Sequence, residues 1–181
     1  MGGRAPSHLF LNGVILIERQ SSEVSPRALS LFAGRVRRAI GLRGEVNVLI
    51  TSNGQLRKLN CSFRKKNKPT DVLSFPSDMP GVVGDIAISG DIALANARRL
   101  GHPVTTELKI LILHGMLHLA GYDHESDSGE MSVRESKLRA QFDLPVGLIE
   151  RTHGAGNLRR VGGTGKRRST PRPGPMRRGA A

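Results

Sequence analysis

A single cysteine, Cys61, occurs in 181 residues, which excludes an intrachain disulfide framework and fits a reducing compartment. With no matching motif around it, Cys61 reads as a buried or incidental thiol. The apolar stretch from Leu9 to Ile17 is broken by Asn12-Gly13, is too short to span a bilayer, and lacks the basic lead and cleavage site of a secretory signal. Pro6 stands where N-myristoylation needs Ser or Thr. A soluble, cytoplasmic protein with no membrane partner is expected. Tryptophan is absent and aromatics make up 3% of the chain, yet a hydrophobic content of 38% is ordinary and the length suits one domain with a real core.

Acidic residues are missing altogether beyond Glu150, where the chain carries nine basic ones: Arg151, Arg159, Arg160, Lys166, Arg167, Arg168, Arg172, Arg177 and Arg178. Of the net charge of +13, residues 1–150 therefore hold only +4, from 19 basic against 15 acidic side chains. The chain divides into a domain over 1–150 and a Gly/Pro/Arg-rich tail over 151–181 with little to bury, expected to be disordered. Such a tail either attracts phosphate backbones without reading sequence or merely solubilises, and composition does not choose between the two.

Within the domain, Leu9 to Ile17 reads as a strand. Ser25-Pro26 opens a helix whose apolar face is Leu29, Phe32, Ala33, Val36 and Ile40, with Arg35, Arg37 and Arg38 as its solvated side. Glu45 to Thr51 alternates as a strand does, and Ser52 or Asn53 can cap a short helix. A basic loop, Phe63 to Pro69, leads into a short strand at Val72 to Phe75, and Val82 to Ile88 forms another. Asp91 to Leu100 is helical. Thr105 or Thr106 opens a longer helix with Leu108, Leu111, Ile112, Met116 and Leu119, apolar nearly all round and so central, and Asp127 or Ser128 caps a last one. The expected fold is α+β: a small mixed β-sheet packed against helices, with the long helix buried across it.

That helix ends in Leu113-His-Gly-Met-Leu-His-Leu-Ala-Gly-Tyr-Asp-His124. His114 and His118 are four residues apart, hence about 40° apart around a helix axis and roughly 6 Å along it. Gly121 interrupts the helix and lets His124 return to the same point. Three imidazoles here form a candidate metal site, and three neutral imidazoles leave a fourth position for water, as catalytic zinc sites do. The alternative is a hydrogen-bonded core cluster. His8 and His102, lone histidines, read as ordinary core residues.

A three-histidine Zn²⁺ activates water near neutral pH or polarises a carbonyl or phosphoryl oxygen, so hydrolysis is the natural class. The spacing of His114, His118, Gly121 and His124 reproduces that of metzincin proteases, but Gly115 stands where those enzymes carry a glutamate base, which argues against peptide cleavage. Phosphodiesters depend more on positioning and charge stabilisation. The loop cations Arg64, Lys65, Lys66 and Lys68 offer that stabilisation, with Arg64 first because a guanidinium matches phosphate oxygens. Asp85 and Asp123 are candidates for a base or for orienting the histidines, though turn or cap roles suit them too.

Four blocks occur in order: Leu59-Asn-Cys-Ser-Phe-Arg64, Pro69-Thr-Asp-Val-Leu-Ser-Phe-Pro76, Gly84-Asp-Ile-Ala-Ile-Ser89 and His114 to His124. Together they resemble the YbeY family of bacterial metal-dependent endoribonucleases, over approximately Leu9 to Phe142. The resemblance implies a zincin-like fold, cleavage of single-stranded RNA, a role in 3′-end maturation of small-subunit rRNA and ribosome quality control, and hence the small ribosomal subunit as a partner. It assigns His114, His118 and His124 as ligands of one Zn²⁺ per chain, and Arg64 with His114 as the catalytic pair. Asn67 departs from the family's pattern, where an acid is common, and the tail lies outside the resemblance. A non-catalytic ribosome assembly factor with a structural metal is the alternative from another class, and a hydrolase of small phosphorylated substrates a third. Neither the oligomeric state nor the physiological metal follows from the residues: Ni²⁺, Cu²⁺ and Co²⁺ also suit imidazoles.

Overall fold

A computed structural model describes residues 13–18, 24–124 and 126–145. The elements run β1 (Ile15–Ile17), α1 (Pro26–Ile40), β2 (Glu45–Thr51), α2 (Asn53–Arg64), β3 (Val72–Pro76), β4 (Val82–Ser89), α3 (Gly90–Leu100), α4 (Val104–Leu119) and α5 (Glu130–Gln141). The four strands form one sheet in the order β1-β2-β4-β3. β1, β2 and β4 are mutually parallel, with Val48 opposite both Ile15 and Ile86, while β3 is antiparallel to β4 at the edge. This is the expected α+β architecture with a small mixed sheet.

Alternation along the strands assigns the two faces. Val46, Val48, Ile50, Ile86 and Ile88 point into the main core, where they meet Leu29 and Val36 of α1, Ala93 and Ala97 of α3, and Leu108 to Leu117 of α4. The opposite face carries a smaller cluster of Leu56, Leu73 and Ala87 with Leu59 and Phe75 beside it, covered by α2. Helix α4 buries residues on all sides, from Val104 to Leu117. It is the central helix that its apolar periodicity demanded.

Serine hydroxyls cap three helices by accepting backbone N–H bonds: Ser25 from Ala28, Ser52 from Gln55 and Ser89 from Ile92. Other local expectations need correction. Helix α2 continues through Arg64, so Phe63 and Arg64 sit on a helical turn rather than in the loop, which begins where Lys65 turns the chain at φ 58°. Pro103, not a threonine, occupies the N-cap of α4, and no side chain caps that end. Gly129 is the N-cap of α5, but Asp127 serves the same helix start by accepting from the Gly129 and Met131 N–H groups. Arg37 is buried rather than solvated, because its guanidinium closes the α1–β2 connection by donating to the carbonyls of Leu42 (3.3 Å) and Gly44 (2.9 Å). Cys61 is exposed, since it faces away from the sheet that α2 covers. Leu9–Asn12, His8 and the tail of residues 151–181 lie outside the described residues.

Candidate metal centre

Helix geometry brings His114 and His118 to one side of the last turns of α4, with their Nε2 atoms 3.2 Å apart. The helix ends at Leu119, and Gly121 adopts φ 89°, a left-handed conformation costly for residues with a Cβ. The Gly121 and Tyr122 N–H groups donate to the carbonyls of His118 (3.0 Å) and Leu117 (3.1 Å), which ties the reversed chain to the helix. His124 returns as the spacing predicted: its ring centroid lies 5.4 Å from that of His114 and 5.2 Å from that of His118. One nitrogen from each of the three rings lies within 4.8 Å of the others.

The donor chemistry suits a divalent cation. His114 Nδ1 lies 3.0 Å from Glu135 Oε2, and a carboxylate only accepts, so Nδ1 carries the proton and Nε2 presents its lone pair to the other rings. Burial, together with the like-charge influence of His114 and His124, holds the His118 pKa down at about 4, against weaker opposing effects of Asp123 and the Tyr122 backbone. His118 is therefore neutral at pH 7, the form in which an imidazole can bind a cation. The Nε2 separation of 3.2 Å is close to the ~3.3 Å that two nitrogens adopt around tetrahedral zinc at ~2.0 Å each. His114 and His118 are half-buried and His124 is exposed, so the cluster opens to solvent on one side.

Glu135 is the residue that sequence reasoning missed. It stands on α5, and Arg139 one turn later also pairs with its carboxylate. Burial would raise the Glu135 pKa, but the hydrogen bond and charge of His114, reinforced by Arg139, outweigh it and lower the value to about 2. Arg139 is itself buried and donates to the Pro145 carbonyl, which anchors the pair. The one available signal was the Glu-x-x-x-Arg spacing on an amphipathic helix, which alone looks like a surface ion pair.

Gly115 faces the sheet. A Cβ there would meet Ile86 Cγ2 at 2.9 Å and Ser74 Oγ at 3.1 Å. Ser74 donates to the Gly115 carbonyl (3.1 Å), so helix and sheet touch at this point. The missing glutamate of the protease pattern thus corresponds to a position with no room for a side chain.

Asp85 alternates with Ile86 and so projects from the face opposite α4, where it accepts from Asn47 Nδ2 at 2.9 Å. That placement removes it as a base for the histidine cluster. Asp123 accepts from Ser126 Oγ (2.9 Å) in the turn before His124, the turn role, and its charge partly offsets the lowering of the His118 pKa. Arg64 is exposed at the C-terminal end of α2, and its guanidinium makes no hydrogen bond or ion pair with the described residues. His102 Nδ1 donates to the Pro103 carbonyl at 3.2 Å, and Nε2 lies 3.3 Å from the buried carboxylate of Glu107, an ordinary structural histidine.

An α+β domain whose buried central helix presents a solvent-open three-histidine cluster is the class that fold and site define. The profile of one family, Endoribonuclease YbeY, matches residues 16–143, and the chain belongs to that family. An Endoribonuclease YbeY of Koribacter versatilis is 56% identical over 139 residues, covering 77% of this chain and 91% of the relative. One of Solibacter usitatus is 46% identical over 137 residues, covering 76% and 92%. A solution structure of a Thermotoga maritima protein superposes with a TM-score of 0.51 at 31% identity, covering 72% of this chain and 91% of that one.

Proposed function

We propose that this protein is a Zn²⁺-dependent endoribonuclease that cleaves single-stranded RNA, with one metal per chain held by His114, His118 and His124. The observation that carries the reading is the convergence of three imidazole nitrogens within 4.8 Å in a chain related to proteins named Endoribonuclease YbeY. When bound, the metal supplies Lewis acidity toward a phosphoryl oxygen or an attacking water. The protein supplies the rest. Glu135 holds the His114 tautomer, burial keeps His118 unprotonated, and the exposed side of the cluster admits a chain of phosphates. Arg64 serves as the catalytic cation, its exposed guanidinium available for the charge that develops on non-bridging oxygens. The physiological setting of this reading is 3′-end maturation of small-subunit rRNA and ribosome quality control in the cytoplasm. No described helix is long and apolar enough to cross a membrane.

The solvent-open side of the cluster favours this reading over an assembly factor with a structural metal, whose ligands would close around the ion. The test is metal analysis of the purified chain alongside cleavage assays on single-stranded and duplex RNA. His118→Ala should lose both metal and cleavage; cleavage that survives that substitution would point to a contaminating nuclease. Arg64→Ala should lose most cleavage with metal still near stoichiometric, and full activity in that variant would exclude its assigned role.

A further inference from the structure

Among the described residues, Phe63 is the phenylalanine left exposed, at 66%, on the last turn of α2. A single exposed apolar side chain is unremarkable by itself. Two features set this one apart. Its ring is held edge-on against Phe75, with centroids 4.9 Å apart and an interplanar angle of 63°, and Phe75 rests on the small core of Leu56, Leu73 and Ala87. Phe63 is thus braced from behind while most of its surface faces water. It also stands in a segment of one charge sign. From Val46 to Thr70 there is no acidic residue, while Arg57, Lys58, Arg64, Lys65, Lys66 and Lys68 are all basic and all exposed.

The cations are attached to a built loop. Buried Asn60 donates from Nδ2 to the Lys68 carbonyl (2.7 Å) and accepts the Lys66 N–H at its own carbonyl (3.2 Å). Arg57 Nε donates to Asn67 Oδ1 at 2.8 Å, so Asn67, where an acid would have neutralised a cation, instead fixes the loop against α2. A braced aromatic ring bordered by cations matches the alternation of base and phosphate along a nucleic acid strand.

We infer that Phe63 is a stacking platform for one unpaired nucleobase, with Lys65, Lys66 and Lys68 holding the adjoining phosphates. This rests on the reading of the chain as an RNA enzyme and adds to it a source of strand selectivity. A base stacked within a duplex has no free face to offer the ring, whereas the cations engage either form. Phe63 packs through Phe75 on the small cluster that α2 covers, one residue before Arg64, so the platform is a contact on the substrate strand additional to the three histidines.

The test uses the full metal-loaded chain and a cleavage-resistant 2′-O-methyl RNA strand carrying 2-aminopurine, free or annealed to its complement. Wild-type protein should bind the single strand and quench the fluorescent base. Phe63→Leu should abolish the quenching and weaken single-strand binding by about 10-fold, from the usual worth of one stacked base, with duplex binding unchanged. Phe63→Tyr should restore both. Lys65→Ala combined with Lys66→Ala should weaken single strand and duplex alike, flatten the salt dependence, and leave quenching at saturation intact. Undiminished quenching and affinity in Phe63→Leu would overturn the platform while leaving the RNA reading standing, and would turn attention to a protein partner for this surface. A wild-type chain that binds neither form would overturn the RNA reading and the platform together.

Discussion

Glu135 and His114 are 21 residues apart in sequence and 3.0 Å apart in space, joined by a hydrogen bond that decides which nitrogen of His114 is free to bind a metal. Without a carboxylate on Nδ1, the ring has no fixed tautomer. Conversely, a bound cation makes the Nδ1 proton more acidic and strengthens the bond to Glu135.

Glu135→Ala should therefore lower metal affinity by about 10- to 100-fold, read by competition with a chromophoric chelator. It also strands the buried Arg139 charge, at a cost of about 3 kcal/mol in a denaturant melt. Glu135→Gln retains an acceptor for one partner only and should fall between wild type and Ala. Equal metal affinity in all three proteins would show that the contact does not orient His114.

In the metal-stripped protein, the ring protons of His118 should titrate near pH 4, well below the ordinary value of 6.5, because burial and the neighbouring histidines disfavour its charge. The folded pKa lies below the unfolded one, so the unfolded chain takes up the proton first. This group's contribution to stability is complete above pH 6.5 and is lost as pH falls from 6.5 toward 4. An NMR midpoint near 6.5 would contradict the burial argument.

Gly115→Ala should destabilise the fold by about 1–3 kcal/mol, because the new methyl group enters the contact between α4 and β4 at 2.9 Å from Ile86 Cγ2. Combined with Ile86→Ala, which removes that atom, it should cost less than the sum of the two single losses. Additive losses in urea melts would mean that the helix and sheet separate freely at this point. By the same reasoning, Gly115→Glu should disrupt the fold instead of creating a peptidase.

Arg37→Met should cost about 2–4 kcal/mol, since it leaves the carbonyls of Leu42 and Gly44 without their buried donor. A urea midpoint equal to that of wild type would return Arg37 to the solvated role its spacing suggested.

Much of this architecture was legible because its causes are local. The serine caps, the alternation of β2 and β4, and the all-round apolar character of α4 each act within a few residues. So does the histidine cluster, whose spacing of four on a helix followed by a glycine reversal converges without help from distant parts of the chain. Arg37 was misread because helical spacing gives the direction of a side chain but not whether the following loop folds back over it. Asp85 could only be offered as a candidate, because a carboxylate's nearness to a site depends on which sheet face its strand register presents.

By itself the sequence determined the convergence of the three histidines and the helix that carries two of them, since backbone periodicity and glycine's access to positive φ are properties of short segments. Packing of α5 beside α4 decided that Glu135 would orient His114, and packing of α4 on β4 decided that position 115 would have no room for a side chain. Contacts between elements far apart in sequence depend on how side chains fill shared volume, and no local pattern encodes that.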